Sequence, residues 1–414
     1  MAAGGRELLQ RCLAAALAAV DGRRVVAEAL ASADVPTGCP VLAVGKAAPA
    51  MLAGAADVLG ERIGEALCIT LADAARPGEP GIAHARVLSG DHPVPGARSL
   101  AAGRALLAFL DALPADMPLL CLWSGGSSAL VEALPPGIEA EDLARANRWL
   151  LGSGLPIDAI NRVRARLSFL KAGRLAQRLA GRRIIVLAIS DVPGDDPAVI
   201  GSGPWTMAAQ PPDEGQGETL PDWLEALLSR AAPAPMPGPG TAASAAVDYR
   251  IIANGAGAMA AAAAVARAAG VATVLHPAPL QGPVESAAQR ILAALANQGR
   301  GMHAWSGETT VRLPEAPGEG GRNSHLALTL SRALAGRADT LVLCAATDGS
   351  DGTGPAAGGW ADGRVVARGA ALGLDAGDAL ARADAGRYLA TTGDALVTGS
   401  TGTNVMDLVL ALRS

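Results

Sequence analysis

The sequence predicts a layered α/β fold built as two domains. Three observations carry that expectation. At 414 residues the chain exceeds a single domain of roughly 100–200 residues. Short, continuously apolar runs alternate with longer helix-compatible segments, which is the rhythm of βα units. The segment from Ala231 to Ser244 reads AAPAPMPGPGTAAS, in which Pro233, Pro235, Pro237 and Pro239 exclude both helix and central strand. A boundary there gives an N-terminal domain over 1–235 and a C-terminal domain over 245–414.

Half of the residues are hydrophobic and 18% are charged, enough to build sizeable cores. Only 2% are aromatic, so those cores rest on Ala, Val, Leu and Ile, and stacking platforms for single-stranded nucleic acid are nearly absent. The formal net charge of -5 argues further against a nucleic-acid partner, while leaving room for a local basic pocket. Cys12, Cys39, Cys68, Cys121 and Cys344 form no C-x-x-C pair and read as reduced core residues of a cytoplasmic protein.

Taken in order, Leu9, Leu13, Leu17 and Val20 recur at helical spacing, and Glu7 interrupts the basic end made by Arg6 and Arg11. The start therefore reads as an amphipathic helix rather than a signal peptide. No run approaches the ~20 strongly apolar residues of a membrane span. Strands are expected at Val41–Val44, Leu119–Trp123, Ile184–Ile189, Tyr249–Ala253, Val271–Leu275 and Leu341–Ala345. Their unbroken apolar character suits strands of a parallel sheet covered on both faces.

Ligands of open parallel sheets bind beyond the carboxyl ends of the strands. After the first run stands Gly45-Lys46, where a lysine can reach a bound anion; the alternative is a surface lysine at a turn. After the second comes Ser124-Gly125-Gly126-Ser127-Ser128. Its glycines let the backbone approach a ligand, and a following helix would add its positive end. A plain strand-to-helix turn is the alternative. In the basic segment that follows, Arg164, Ser168 and Lys171 share one helical face, which could equally be a solvated one. After Ile184–Ile189, Asp191, Asp195 and Asp196 suit a hard divalent cation, or Asp191 could accept a hydroxyl proton. In the second half, Arg322 and Asn323 follow two glycines and are placed to meet a phosphate or carboxylate. Asp351 lies in the acidic, glycine-rich loop Thr347–Gly354. Gly255-Ala256-Gly257-Ala258-Met259-Ala260 imitates a dinucleotide fingerprint, but the next strand ends in His276-Pro277 and not in a ribose-binding acid.

In this order the loops resemble those of the glycerate 2-kinases, a family sometimes labelled hydroxypyruvate reductase or MOFRL-domain proteins. The similar stretches are VGKAAPAM (44–51), GDHPVPGARS (90–99), WSGGSSAL (123–130), NRVRARLSFLKAGRLA, AISDVPGDDPAVIGSGP (188–204), SGETTV, GGRN, ATDGSDGTGPAAGG and TGTNVMDL. The resemblance implies ATP-dependent phosphorylation of D-glycerate at its 2-hydroxyl, giving 2-phosphoglycerate and ADP. It implies a Rossmann-like N-terminal domain, a smaller MOFRL-like α/β domain and a site in the cleft between them, with a homo-oligomer allowed. The family's site lysine falls on Lys46 and its site arginine on Arg322. Mg²⁺ would fall to Asp191 and Asp195. Ser124 to Ser128, Arg164, Lys171, Asn323 and Asp351 would contact substrate or nucleotide. Two positions depart from the family pattern: Ser127 replaces a third glycine, and Ser324-His325 replaces Gln-Glu. The rival expectations are an NAD(P)H-dependent hydroxypyruvate reductase and a non-catalytic binding protein on the same fold.

Overall fold

The computed structural model describes residues 2–74, 85–114, 116–155, 157–206, 220–231 and 246–414. The chain is α/β throughout and divides into two compact units, Gly22–Ile252 and Met1–Asp21 with Ala253–Ser414. Most of the expected proline-rich linker falls outside the described residues.

The first unit carries a six-stranded sheet made of β1 (Cys39–Val44), β2 (Ile63–Thr70), β3 (Ala85–Ser89), β4 (Leu119–Trp123), β5 (Arg183–Ile189) and β6 (Ala246–Ala253). Its order is β3-β2-β1-β4-β5-β6. The β1–β2, β2–β3, β1–β4 and β4–β5 pairings are all parallel. β1 and β4 are buried along their whole length, as a strand covered by helices on both faces must be. Leu42, Val44, Leu67, Leu106, Cys121, Trp123 and Val186 belong to one core cluster against this sheet. The strand order reverses at the β1–β4 pair, so the topological switch point lies at their carboxyl ends.

The second unit holds β7 (Thr273–Leu275), β8 (Leu280–Pro283), β9 (Gly301–Thr310), β10 (Thr340–Ala346), β11 (Gly358–Asp362), β12 (Ala395–Leu396) and β13 (Asp407–Arg413). The order is β12-β11-β10-β13-β9-β7, with β8 also on β9. Here the parallel expectation for Leu341–Ala345 is corrected. β10 runs antiparallel to both β11 and β13, and β13 runs antiparallel to β9. An unbroken apolar run reports burial on both faces, not strand direction. The helices Val284–Gln298 and Arg322–Ala333 supply part of the core on this sheet.

The first helix, Ala2–Ala19, buries Leu9, Cys12, Leu13 and Ala16. It belongs to the second unit, whereas the sequence grouped it with residues up to 235. Its stripe meets the alanine-rich helix Gly255–Ala268, whose Ala258, Ala262 and Ala266 are fully buried. Small side chains on the receiving helix let a leucine-bearing stripe approach closely. All five cysteines are buried and unpaired. Among the described residues, no helix is long and apolar enough to cross a membrane.

Candidate active site

At the switch point the backbone of the β1 turn is laced to that of the β4 turn. Ser124 N–H donates to Val44 C=O at 3.0 Å, and Lys46 N–H donates to Gly125 C=O at 2.9 Å. Ser124 Oγ accepts from Ala47 N–H at 3.1 Å. Glycine is required at 45 because a Cβ there would overlap Ser124. Gly126 has φ +82°, and a Cβ on it would lie 3.1 Å from Lys46 Cγ and 3.4 Å from His92 Cδ2. Lys46 and His92 therefore flank the bare backbone of Gly126, beyond the ends of β1, β3 and β4. A lysine, an imidazole and a glycine backbone turned left-handed stand together here, a grouping whose chemistry suits an anion.

The helix expected to add its positive end is only one turn, Ser127–Leu130. So short a helix carries little dipole, and the expected positive helix end is missing at this turn. Ser127 does not crowd the grouping of Lys46, His92 and Gly126. The residue is fully buried, and its Oγ, like Trp123 Nε1, faces Gly201, where a Cβ would overlap both atoms. Neither atom has a hydrogen-bond partner among the described residues. Ser128 instead meets Ser202, Oγ to Oγ at 2.8 Å, and Ser202 Oγ reaches Asn161 Oδ1 at 3.3 Å. The loop after β5 is thus drawn against the β4 turn.

That loop starts at Ser190 and carries Asp191, and Asp195 adopts φ +55° within it. Asp196 caps locally, accepting from Ala198 N–H at 2.8 Å. The three aspartates do not converge. Among the described residues, no group of three or more His, Cys, Asp or Glu side chains could hold a metal ion.

Lys171 is not at a ligand surface. Its side chain is 3% exposed and forms an ion pair with Glu132, whose other oxygen accepts from Ser168 Oγ at 2.5 Å. Burial pushes the lysine's pKa down against the opposing pull of Glu132. Arg164 is half-buried and donates from Nε to Asn147 Oδ1 at 3.0 Å. Its pKa is lowered by burial, with Glu132 opposing.

In the second unit, the helix Arg322–Ala333 starts without a side-chain cap of its own. Asp351 supplies one from the loop after β10. Its oxygens accept from Asn323 N–H at 2.9 Å and from Ser324 N–H at 2.7 Å, satisfying donors that a helix start leaves open. Ser324 Oγ adds a third bond to Asp351 at 2.7 Å. Asp351 and Asn323, expected to touch ligand, are both buried in this cap. His325 is buried too, and burial lowers its pKa despite Glu285 and Asp351. The two departures from the family pattern, Ser127 and Ser324-His325, thus point into the protein.

Arg322 leads this helix with its guanidinium partly exposed. Nε and Nη2 donate to Asp407 Oδ2 and Oδ1 at 2.5 and 3.1 Å, and Nη2 donates to Glu308 Oε1 at 2.8 Å. Burial works against the arginine's charge, but Asp407 and then Glu308 outweigh it and raise the pKa. Burial pushes the Asp407 carboxyl up to about 6, in spite of Arg322.

Sequence reasoning did not assign roles to His92, Glu308 or Asp407. Each lies within a family-like stretch, which was the available signal. The dinucleotide-like glycines have another explanation. Gly255 packs on Ser306, and the Asn254 side chain caps the following helix through Gly257 N–H at 2.9 Å. After β7, His276 stacks on Trp305 with ring centroids 4.1 Å apart.

Comparison with known proteins places the whole chain among relatives. A family described as a domain of unknown function, DUF4147, matches residues 8–216, and the MOFRL family matches 301–407. A D-glycerate 2-kinase of Thermotoga maritima is 31% identical over 90% of this chain and 90% of its own. A protein of Agrobacterium vitis, provisionally named a hydroxypyruvate reductase, is 34% identical over 89% of this chain and 98% of its own. The crystal structure of a glycerate kinase from Thermotoga maritima superposes with a TM-score of 0.82 at 30% identity, covering 99% of this chain and all of that one. With both family regions present in order and relatives above 30% identity matched nearly end to end, the chain belongs to the glycerate 2-kinase family.

Proposed function

We propose that this protein transfers the terminal phosphoryl group of ATP to the 2-hydroxyl of D-glycerate, giving 2-phosphoglycerate and ADP. The observation that carries this reading is the near full-length similarity to a D-glycerate 2-kinase. The grouping of Lys46 and His92 about the Gly126 backbone supports it. Phosphoryl transfer demands alignment and neutralised charge more than covalent chemistry. In the proposed reaction the glycerate O2 bonds to the γ-phosphorus, the bond from that phosphorus to the β-bridging oxygen breaks, and the hydroxyl proton passes to a carboxylate.

Lys46 and the Gly125–Gly126 backbone are the proposed anion seat of the first unit, and Arg322 is the anion-facing cation of the second. Asp191 is the proposed acceptor of the hydroxyl proton or a ligand of Mg²⁺. A nucleotide-borne Mg²⁺ keeps waters and phosphate oxygens and asks the protein for one or two carboxylates. Asp191 and Asp195, both partly exposed, fit that smaller demand. Bound there, the ion would neutralise phosphate charge. Arg164 is the second choice for the substrate carboxylate. Lys171 is no longer a candidate, being committed to Glu132. The reductase alternative lacks a ribose acid after β7 and finds its fingerprint glycine used in packing against Ser306.

The test is direct. Purified protein receives D-glycerate, ATP and Mg²⁺; products are resolved as 2- or 3-phosphoglycerate, with NADH oxidation by hydroxypyruvate followed in parallel. ATP-dependent 2-phosphoglycerate is expected. Lys46→Ala should lower kcat/KM by about 10²-fold or more, the scale of one lost charge-stabilising donor. NADH oxidation without phosphoglycerate would replace this reading with the reductase.

A further inference from the structure

We propose that Asp407 is the positioning residue for Arg322 and that Glu308 holds the guanidinium edge that an anionic ligand takes. The inference deepens the kinase reading and rests on it for the identity of that anion. Its basis is an asymmetry between two carboxylates on one arginine. The Asp407 side chain is 6% exposed, whereas that of Glu308 is 43% exposed. Asp407 engages two nitrogens of the guanidinium in a fork and so fixes its plane; Glu308 touches one. The exposed partner can be exchanged for another anion at little cost, because solvent already screens that pair. The buried one cannot be exchanged without stranding a charge.

The fold holds Asp407 in place. It is the first residue of β13, set opposite Gly307 on one side and Ala346 on the other. Met406, just before it, is held at φ +71° while its carbonyl accepts from Thr347 Oγ1 at 2.5 Å. Thr347 Oγ1 in turn accepts from Val405 N–H at 2.9 Å. A non-glycine residue persists in that conformation only where its surroundings fix it. The groups facing Asp407 are Arg322 and Asn323 from the helix start and Glu308 from β9. Asp351 acts on Arg322, and the Cys344 thiol of β10 feels both Asp407 and Asp351. With the Asp407 carboxyl raised to about 6, the fork loses its charge as pH falls through that value.

The experiment has two readouts. In ¹⁵N spectra of the full chain, the Arg322 Nε–H resonance, assigned by its loss in Arg322→Lys, should be sharp at pH 7.5. It should broaden below about pH 6 and be broad at both values in Asp407→Asn. In kinetics with D-glycerate and ATP, wild type should show an acid limb near pH 6. Asp407→Asn should lose 10- to 100-fold in kcat/KM at pH 7.5, with the limb displaced. Asp407→Glu should recover part of the loss, and its melting curve shows whether the site folds. Titration of the nucleotide phosphates is common to all variants and cancels in the ratio. Glu308→Gln should tighten inorganic phosphate binding by 2- to 10-fold, measured by calorimetry without metal. A sharp Arg322 resonance in Asp407→Asn, with wild-type phosphate affinity in Glu308→Gln, overturns the inference. The expected spectra and phosphate binding without ATP-dependent turnover in wild type overturn the kinase reading alone.

Discussion

Gly126→Ala tests the anion seat most sharply, because strain and function can be separated. The residue sits at φ +82° and ψ -14°, in the left-handed region. An L-residue there costs about 1–2 kcal/mol. The new methyl would stand 3.1 Å from Lys46 Cγ, a distance that requires the lysine stem to move by a few tenths of an ångström. That stem is flexible, so the added steric cost is small and stability should fall by roughly the backbone term alone. Activity should fall much further. The methyl occupies the space between Lys46 and His92 where the proposed seat would take a phosphate oxygen, and misplacing a reacting group by about 1 Å costs on the order of 10²-fold. That is about 2.7 kcal/mol of transition-state stabilisation. The control is Gly181→Ala, at φ +80° with nothing within 4 Å of a new Cβ. It carries comparable backbone strain away from the seat. Coupled ADP-release kinetics and thermal melts of both variants decide the matter. If both lose similar stability but Gly126→Ala keeps wild-type kcat/KM, phosphate does not approach Gly126 and the seat is misassigned.

Three further outcomes follow from the same geometry. Glu132→Ala strands a buried ammonium, since Lys171 and Glu132 are respectively 3% and 2% exposed. Stability should fall by about 3–5 kcal/mol, read from denaturant midpoints; a loss below about 1 kcal/mol would mean that Lys171 sheds its proton and tolerates burial. Ser127→Ala removes a buried hydroxyl that has no partner among the described residues and should leave kcat/KM unchanged. Unfolding free energy should stay level or rise by up to about 1 kcal/mol, part of the usual cost of an unpaired buried polar group. A drop in turnover would put that hydroxyl on the ligand. Arg322→Lys keeps the charge but loses the fork to Asp407, and should lose at least about 10-fold in kcat/KM; full activity would reduce Arg322 to a point charge.

What the sequence revealed follows from what a one-dimensional pattern can encode. β1, β4 and β5 were legible because burial on both faces leaves an unbroken apolar run. Lys46 and the 124–128 loop were legible as residues that follow such runs. Their mutual proximity was not, because it depends on β1 and β4 being neighbours across a reversal of strand order. His92 follows β3, an edge strand whose Arg86 is exposed, so no apolar run announced it. Direction is equally silent: β10 read like a parallel strand and is antiparallel on both sides. Charged residues mislead for a related reason. The default for Lys or Asp is an exposed head group, and only a partner overturns it. Lys171 finds Glu132 39 residues earlier, and Asp351 finds the helix start at Asn323 28 residues earlier. Asp407 is the extreme case. An aspartate opening an apolar run reads as a strand boundary, yet antiparallel pairing with β9 sets it opposite Gly307, beside Glu308, and on Arg322. Lys46 and Arg322, the proposed anion-facing cations, were legible from their loops, whereas Asp407, proposed to aim Arg322, depends on a pairing distant in sequence. A search by motif alone will recover the first kind and miss the second.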